Sequence, residues 1–272
     1  MSLEETEQLL RTHRITPNKL LGQNFMTEPC FYPKLCEYSS LGPADTVLDA
    51  GAGFGFLSRF LADRCKGVIA VEKDPQIAYV LREQLKDFDN VRVVTGDVLK
   101  VTLPEFNKVI AIPPYYLSSP LVEWLLKSEI DSGVLIMQEE FAKRLDAPIG
   151  SEDYGWLTVL VQRRMEISLL DSVPKEMFFP QPKVDSTIVR LQPLRKIRFE
   201  VKDEELFTQV SKWLFTQRNK KLPKAIAPFL RTKLQLNKQD AERIASSLPF
   251  REIRVRTMSP EQFGELTNAV SS

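Results

Sequence analysis

Histidine is all but absent from this chain: His13 is the only one in 272 residues. That rules out a His-rich metal site and argues against a Ser-His-Asp triad, for which His13 would be the sole candidate. The three cysteines, Cys30, Cys36 and Cys65, make no CxxC pair. That argues against a disulfide framework and against zinc, so no metal is expected. No apolar stretch approaches the roughly 18 uninterrupted residues of a membrane span. The start, Met-Ser-Leu-Glu-Glu-Thr-Glu, is acidic and lacks the apolar core of a secretory signal. A cytoplasmic protein without a membrane partner is the expectation.

An excess of either charge is missing too, since 37 basic residues face 36 acidic ones. Distribution says more than the sum. Basic residues cluster at Arg11–Arg14 with Lys19, at Arg163-Arg164, from Lys183 to Arg198, from Arg218 to Lys224 and from Arg251 to Arg256. Clusters gathered on one face can focus potential on a near-neutral protein, whereas solvated surface charges need no partner.

What is present is a strand–helix alternation. Thr46 to Asp49, Gly67 to Glu72, Val91 to Val94, Lys108 to Ala111 and Gly133 to Met137 read as strands. Between them Leu57, Phe60 and Leu61, then Pro75 to Lys86 and Ser119 to Lys127, have helical spacing. Such alternation predicts a mostly parallel sheet covered by helices. After Leu194 only helical patterns follow: Asp203 to Phe215, Leu222 to Leu230, Lys238 to Ser247 and Pro260 to Ala269. A division at 194/195 is therefore predicted, with a small helical domain over residues 195–272.

The first strand ends in Asp49-Ala50-Gly51-Ala52-Gly53-Phe54-Gly55. A glycine-rich strand-to-helix turn lets a ligand approach the backbone. The spacing is GxGxG rather than the dinucleotide GxGxxG, and a carboxylate precedes it. A pyrophosphate is repelled by Asp49, whereas a ligand with an ammonium group is not, which favours S-adenosylmethionine over a nicotinamide cofactor. Glu72 and Asp97 close the next two strands, placed to accept from ribose hydroxyls and an adenine amine at the ligand edge of an open sheet. An acid at a strand end can also be a plain helix cap. The fourth strand runs into Ile112-Pro113-Pro114-Tyr115-Tyr116. Amino-methyltransferases carry an Asn- or Asp-containing loop here. Its oxygen and a backbone carbonyl accept the two amine protons, while the tyrosine stacks on the extruded base.

These segments resemble the KsgA-like rRNA adenine dimethyltransferases of the small ribosomal subunit, over nearly the whole chain. Gly22-Gln23-Asn24-Phe25-Met26 is similar to the family's GQNFL motif at the cofactor's methionine end. Phe179-Pro180-Gln181-Pro182-Lys183-Val184-Asp185-Ser186 resembles its FxPxPKVDS segment, whose first aromatic flanks the target base. Gln138 to Leu145 looks like its QxExAxRL helix, and Phe215 to Leu222 like the FxxRRKxL helix of its small domain.

The resemblance implies a Rossmann-like class I methyltransferase fold, with residues 1–194 as the S-adenosylmethionine-dependent domain and 195–272 as a helical rRNA-binding domain. It implies cofactor binding by Gln23, Asn24, Met26, Asp49, Gly51, Gly53, Glu72, Lys73, Asp97 and Val98. Catalysis would involve Ile112, Pro113, Pro114, Tyr115 and Phe179. Lys183, Arg218, Lys220, Lys221 and Lys224 would contact RNA phosphates. The partner implied is small-subunit rRNA or its precursor, met by a monomer.

One departure stands out. The family has Asn where this chain has Ile112, and isoleucine accepts no hydrogen bond. Losing one preorganised polar group costs about 10²–10³ in rate. A second reading therefore accompanies the enzyme: a ribosome-assembly factor that binds RNA and cofactor but methylates weakly or not at all. A large-subunit rRNA target is disfavoured by the Arg218 to Leu222 motif, and a nicotinamide oxidoreductase is remote.

Overall fold

The computed structural model describes residues 3–18 and 22–271; Lys19, counted above with the first basic cluster, lies outside them. The strands are β1 (Phe25–Met26), β2 (Thr46–Ala50), β3 (Gly67–Glu72), β4 (Val91–Thr95), β5 (Lys108–Ala111), β6 (Ser132–Gln138), β7 (Met165–Val173), β8 (Phe178–Phe179) and β9 (Ser186–Pro193). The helices are α1 (Leu3–Thr12), α2 (Tyr32–Ser39), α3 (Phe56–Ala62), α4 (Pro75–Leu85), α5 (Ser118–Leu125), α6 (Glu139–Leu145), α7 (Trp156–Arg164), α8 (Glu204–Phe215), α9 (Leu222–Lys233), α10 (Lys238–Ser247) and α11 (Pro260–Val270).

Seven strands form one sheet in the order β4-β3-β2-β5-β6-β9-β7. The first five of these pair in parallel, and β9 runs antiparallel to β6. Central parallel strands are covered on both faces, so they read as unbroken apolar runs; Val47, Leu48, Val68, Ile69 and Ala70 are all buried. Helix α4 starts where Asp74 accepts hydrogen bonds from the Gln76 and Ile77 amides, with Pro75 in its first turn. It buries Ile77, Val80, Leu81 and Leu85 against the sheet. From β2 the strand order proceeds one way to β3 and β4, and the other way to β5 and β6. Open α/β sheets bind ligands in the crevice at such a switch point. The fold is thus the mostly parallel, Rossmann-like sheet that the alternation predicts.

Four strands escaped the sequence pattern. β7 and β9 extend the sheet past β6, and β1 pairs with β8 across more than 150 residues, Phe25 opposite Phe179 and Met26 opposite Phe178.

The chain separates into two compact units, Met1–Ala142 with Ile167–Pro193, and Lys143–Glu166 with Leu194–Ser272. The later boundary falls at 193/194, next to the division that the sequence suggests. Residues 143–166 are the correction: they group with the helical unit instead of the sheet. Specific polar bonds hold them there. Tyr154 donates its hydroxyl to the Met258 carbonyl at 2.8 Å. Arg163 is fully buried, with its Nε donating to the Phe199 carbonyl and its two terminal nitrogens to the Glu204 carboxylate at 2.8 and 2.9 Å. Phe207, Leu214, Ile226, Phe229, Phe263 and Leu266 supply the apolar core of this unit. Among the described residues no helix is long and apolar enough to cross a membrane.

A buried guanidinium without its carboxylate keeps its desolvation penalty. Glu204→Ala should therefore destabilise the protein by about 1–3 kcal/mol, read as a lower urea midpoint. An unchanged midpoint would show that water solvates Arg163 in its place.

Candidate active site

At the switch point the carboxyl ends of β2, β3 and β5 surround a cleft of two compartments, both within the first unit. The larger, about 620 Å³ with its open mouth, is lined by Gln23, Glu72, Lys73, Asp97, Val98 and Tyr116 among others. The smaller, about 390 Å³, is lined by Met26, Tyr32, Asp49, Phe54, Phe56 and Leu57 among others. Asn24, Phe25, Gly51, Gly53 and Ile112 line both.

The floor exists because Gly51 has no side chain. Its φ is +83°, and a Cβ there would lie 2.6 Å from the Pro114 Cδ. The turn after β2 and the loop after β5 can therefore touch. Glu72 fixes the same turn from the side: its Oε2 accepts from the Gly53 amide at 3.0 Å and its Oε1 from the Asp74 amide at 2.8 Å. Asp74 in turn accepts from Gln23 Nε2 at 3.0 Å, which ties the 22–26 segment to the start of α4.

Charge is unevenly solvated here. Asp49 is buried, and that burial pushes its carboxyl up to about 7 despite the 2.7 Å hydrogen bond donated by Ser58. Glu72 is also raised by burial, which its backbone hydrogen bonds only partly offset. Burial acts upward on Asp97 as well, but the Leu99 amide and the Lys73 ammonium outweigh it, so its carboxyl lies below its ordinary value.

Of the residues expected to bind a cofactor, all ten line one or both compartments. Of those expected at the reacting centre, Ile112 and Pro114 do so. Tyr115 is held by a 2.8 Å hydrogen bond between its hydroxyl and that of Ser186. Phe179 is brought against the 22–26 segment by its pairing with Phe25. Sequence reasoning missed Tyr116, whose exposed ring packs near Gly22 with the Lys73 ammonium 5.8 Å above it. It missed Ser58 as well. Both stand within recognised segments, and a hydroxyl one helical turn after the glycine loop was the available signal for Ser58.

The basic residues lie partly elsewhere. Lys183 is exposed beside β9. In the helical unit Arg218 donates to the Ser151 and Glu152 carbonyls, both at 2.7 Å, and Lys221 pairs with Glu252 at 2.7 Å. Arg218 is thereby held in place, whereas Lys220, Lys221 and Lys224 are all exposed. Backbone bonds from Leu222 to Ile253, Val255 to Lys220 and Arg256 to Arg218 lay two basic clusters side by side. Lys220, Lys224, Arg251, Arg254 and Arg256 then share one exposed stretch.

Residues 15–261 match the family model described as ribosomal RNA adenine dimethylase. The chain belongs to the ribosomal RNA adenine dimethylase family. Among the family's relatives is a probable ribosomal RNA small subunit methyltransferase A of Methanosarcina mazei, 39% identical over 91% of each chain. The 23S rRNA methyltransferase ErmE has a similar structure, with TM-score 0.63 and 29% identity over 91% of this chain and all of its own. A dimethyladenosine transferase from Plasmodium falciparum shares the fold at TM-score 0.73, with 24% identity over 89% of this chain and 95% of its own. The architecture is that of the class I methyltransferases.

For this dimethylase-family cleft, the raised carboxyl of Asp49 gives a signed pH dependence. The unfolded chain releases this proton near pH 3.8 and the folded protein near 7, so stability falls between those values as pH rises and is level above. Asp49→Asn removes that loss while leaving an oxygen to accept from Ser58. The excess of its urea midpoint over that of the unsubstituted protein should widen from pH 4 to pH 7. A gap independent of pH would mean that Asp49 is ionised throughout.

Proposed function

We propose that this protein transfers methyl groups from S-adenosylmethionine to the exocyclic amines of adenines in small-subunit rRNA or its precursor, acting as a cytoplasmic monomer. The observation that carries the reading is the two-compartment cleft with carboxylates at three successive strand ends, Asp49, Glu72 and Asp97. The donor set suits this cofactor: acids for hydroxyls and amines, glycine at the turn, and in Lys73 a cation already engaged by Asp97. Its polyphosphate-bearing competitors would meet repulsion instead.

In this reading Glu72 and Asp97 hold the ribose and adenine, with Gln23, Lys73 and Val98 around them. Asp49, Met26, Gly51 and Gly53 border the methionine end. When bound, the cofactor supplies a methyl group on a positively charged sulfur. Tyr115 and Phe179 flank the target base, and the Pro113 carbonyl accepts one proton of its amine. An amine conjugated with its ring is a poor nucleophile, so holding its protons and orienting its lone pair is the protein's main contribution. No general base is required, because the cationic product amine loses its proton to water. The first unit carries this chemistry, while the exposed basic stretch around Lys220 and Arg256, with Lys183, meets RNA phosphates.

Labelled S-adenosylmethionine and small subunits lacking the modification provide the test. Incorporation of a few methyls per subunit is expected. Absence of incorporation with retained subunit binding would turn the assignment to an assembly factor without turnover. Lys220→Ala and Arg256→Ala should each weaken subunit binding and reduce the slope of log K against log salt by about 0.7–0.9. An unaltered slope would move the RNA contact to another surface.

A further inference from the structure

The segment from Phe179 to Ser186 begins with one of the two rings that flank the target base in the reading above, and its last residue is bonded to the other. Ser186 opens β9 and is fully buried. Its hydroxyl shares a 2.8 Å hydrogen bond with that of Tyr115, which stands in the loop after β5. Among the described residues no other hydrogen bond reaches that phenol. Burial raises the phenol above its ordinary range, the serine bond acts the other way, and the charge of Asp185 adds to the rise. The bond is therefore one between two neutral hydroxyls at neutral pH.

Ser186 is a fixed point. The ladder between β9 and β6 runs from Ser186 opposite Gln138 to Leu191 opposite Gly133. The residue before it is clamped on two further sides. Asp185 Oδ1 accepts from the Lys175 amide at 2.9 Å, and the Asp185 carbonyl accepts from the Glu139 amide at 3.1 Å. Lys175 in turn begins the tight turn that leads into β8 and Phe179. Tyr115, by contrast, is half-buried on a loop, where its ring can swing between χ1 rotamers. Holding the hydroxyl, at the far end of the ring, stops that swing.

We propose that Ser186 is a positioning residue for methyl transfer: through the Tyr115 hydroxyl it holds the ring on which the target adenine stacks. The proposal rests on the methyl-transfer reading above, in which Tyr115 and Phe179 flank the base. Ser186 touches neither base nor cofactor in this account. It ties the loop that carries Tyr115 to the strand that continues from Phe179, so the two rings keep one spacing. A flat base enters such a slot without first having to order its walls.

Three variants decide the matter: Ser186→Ala, Tyr115→Phe and the two combined. The single variants remove the same bond from opposite ends, and Tyr115→Phe does so with β9 untouched and the ring retained. Each is assayed for kcat and KM on unmethylated small subunits, and for affinity towards S-adenosylhomocysteine by calorimetry. Each single variant is expected to lower kcat about 10-fold, since a misplacement of about 1 Å can cost up to about 10². The combined variant should lie within about 3-fold of either single one, where independent losses would multiply to about 100-fold. KM should stay within about 3-fold, because phosphate contacts made elsewhere set subunit affinity. Affinity for the cofactor product should hold as well.

An undiminished kcat in Tyr115→Phe would overturn the proposal, and that variant decides alone if Ser186→Ala does not fold. A loss in Ser186→Ala that Tyr115→Phe does not share would make Ser186 a structural residue of β9 only. Multiplying losses would show two hydroxyls acting separately, and weakened cofactor-product affinity would show a distorted cleft; either result overturns the proposal. Failure of the unsubstituted protein to methylate subunits would remove the functional reading, and the proposal with it. Turnover by that protein together with unaffected single variants would remove the proposal alone.

Discussion

The contact between Gly51 and Pro114 is the constraint on which the site depends. Two loops, one after β2 and one after β5, must approach closely at the point where the strand order reverses. Only a residue without a side chain, in a left-handed conformation, permits that approach. Proline on the other side makes the loop stiff, so the contact sets a fixed distance between the glycine turn and the segment that carries Ile112. Glu72 then ties the glycine turn to the start of α4, accepting from the Gly53 and Asp74 amides, and Gln23 pins the 22–26 segment through Asp74. The cleft is preformed by bonds that its ligands need not supply, which lowers the ordering cost of binding.

Local pattern made one part of this legible and left another hidden. Buried parallel strands followed by amphipathic helices announce themselves over a few residues, and each carboxylate at a strand end has a fixed position relative to its own strand. Asp49, Glu72 and Asp97 could therefore be read as a set before their convergence was visible. The β1–β8 pair could not. Two residues give no periodicity, and the partners lie more than 150 residues apart. Likewise β9 shows no alternation because most of its residues are buried.

Residues 143–166 show a different limit. Their local pattern is the same whichever unit they join, and what decides is a buried arginine whose carboxylate lies some 40 residues downstream. Charge patterning had a similar blind spot. Arg218 and Lys221 read as phosphate ligands because they are basic and clustered. The structure shows what a residue count cannot: Arg218 is bonded to two local carbonyls, Lys221 is exposed and paired with Glu252, and backbone bonds bring a second basic cluster alongside. Composition can count cations, but it cannot say which are already engaged.

The electrostatics of the cleft give the binding step its direction. Asp49 and Glu72 are both raised by burial, and the charge of Glu72 adds to the rise at Asp49. Two carboxylates held in a poorly solvated place repel one another and favour a proton or a cation nearby. A ligand bearing a positive sulfur and an ammonium group relieves that repulsion, whereas the product, having lost the charge on sulfur, relieves less of it. In the methyl-transfer reading proposed above, this arrangement would favour the charged donor over a product that has lost that charge.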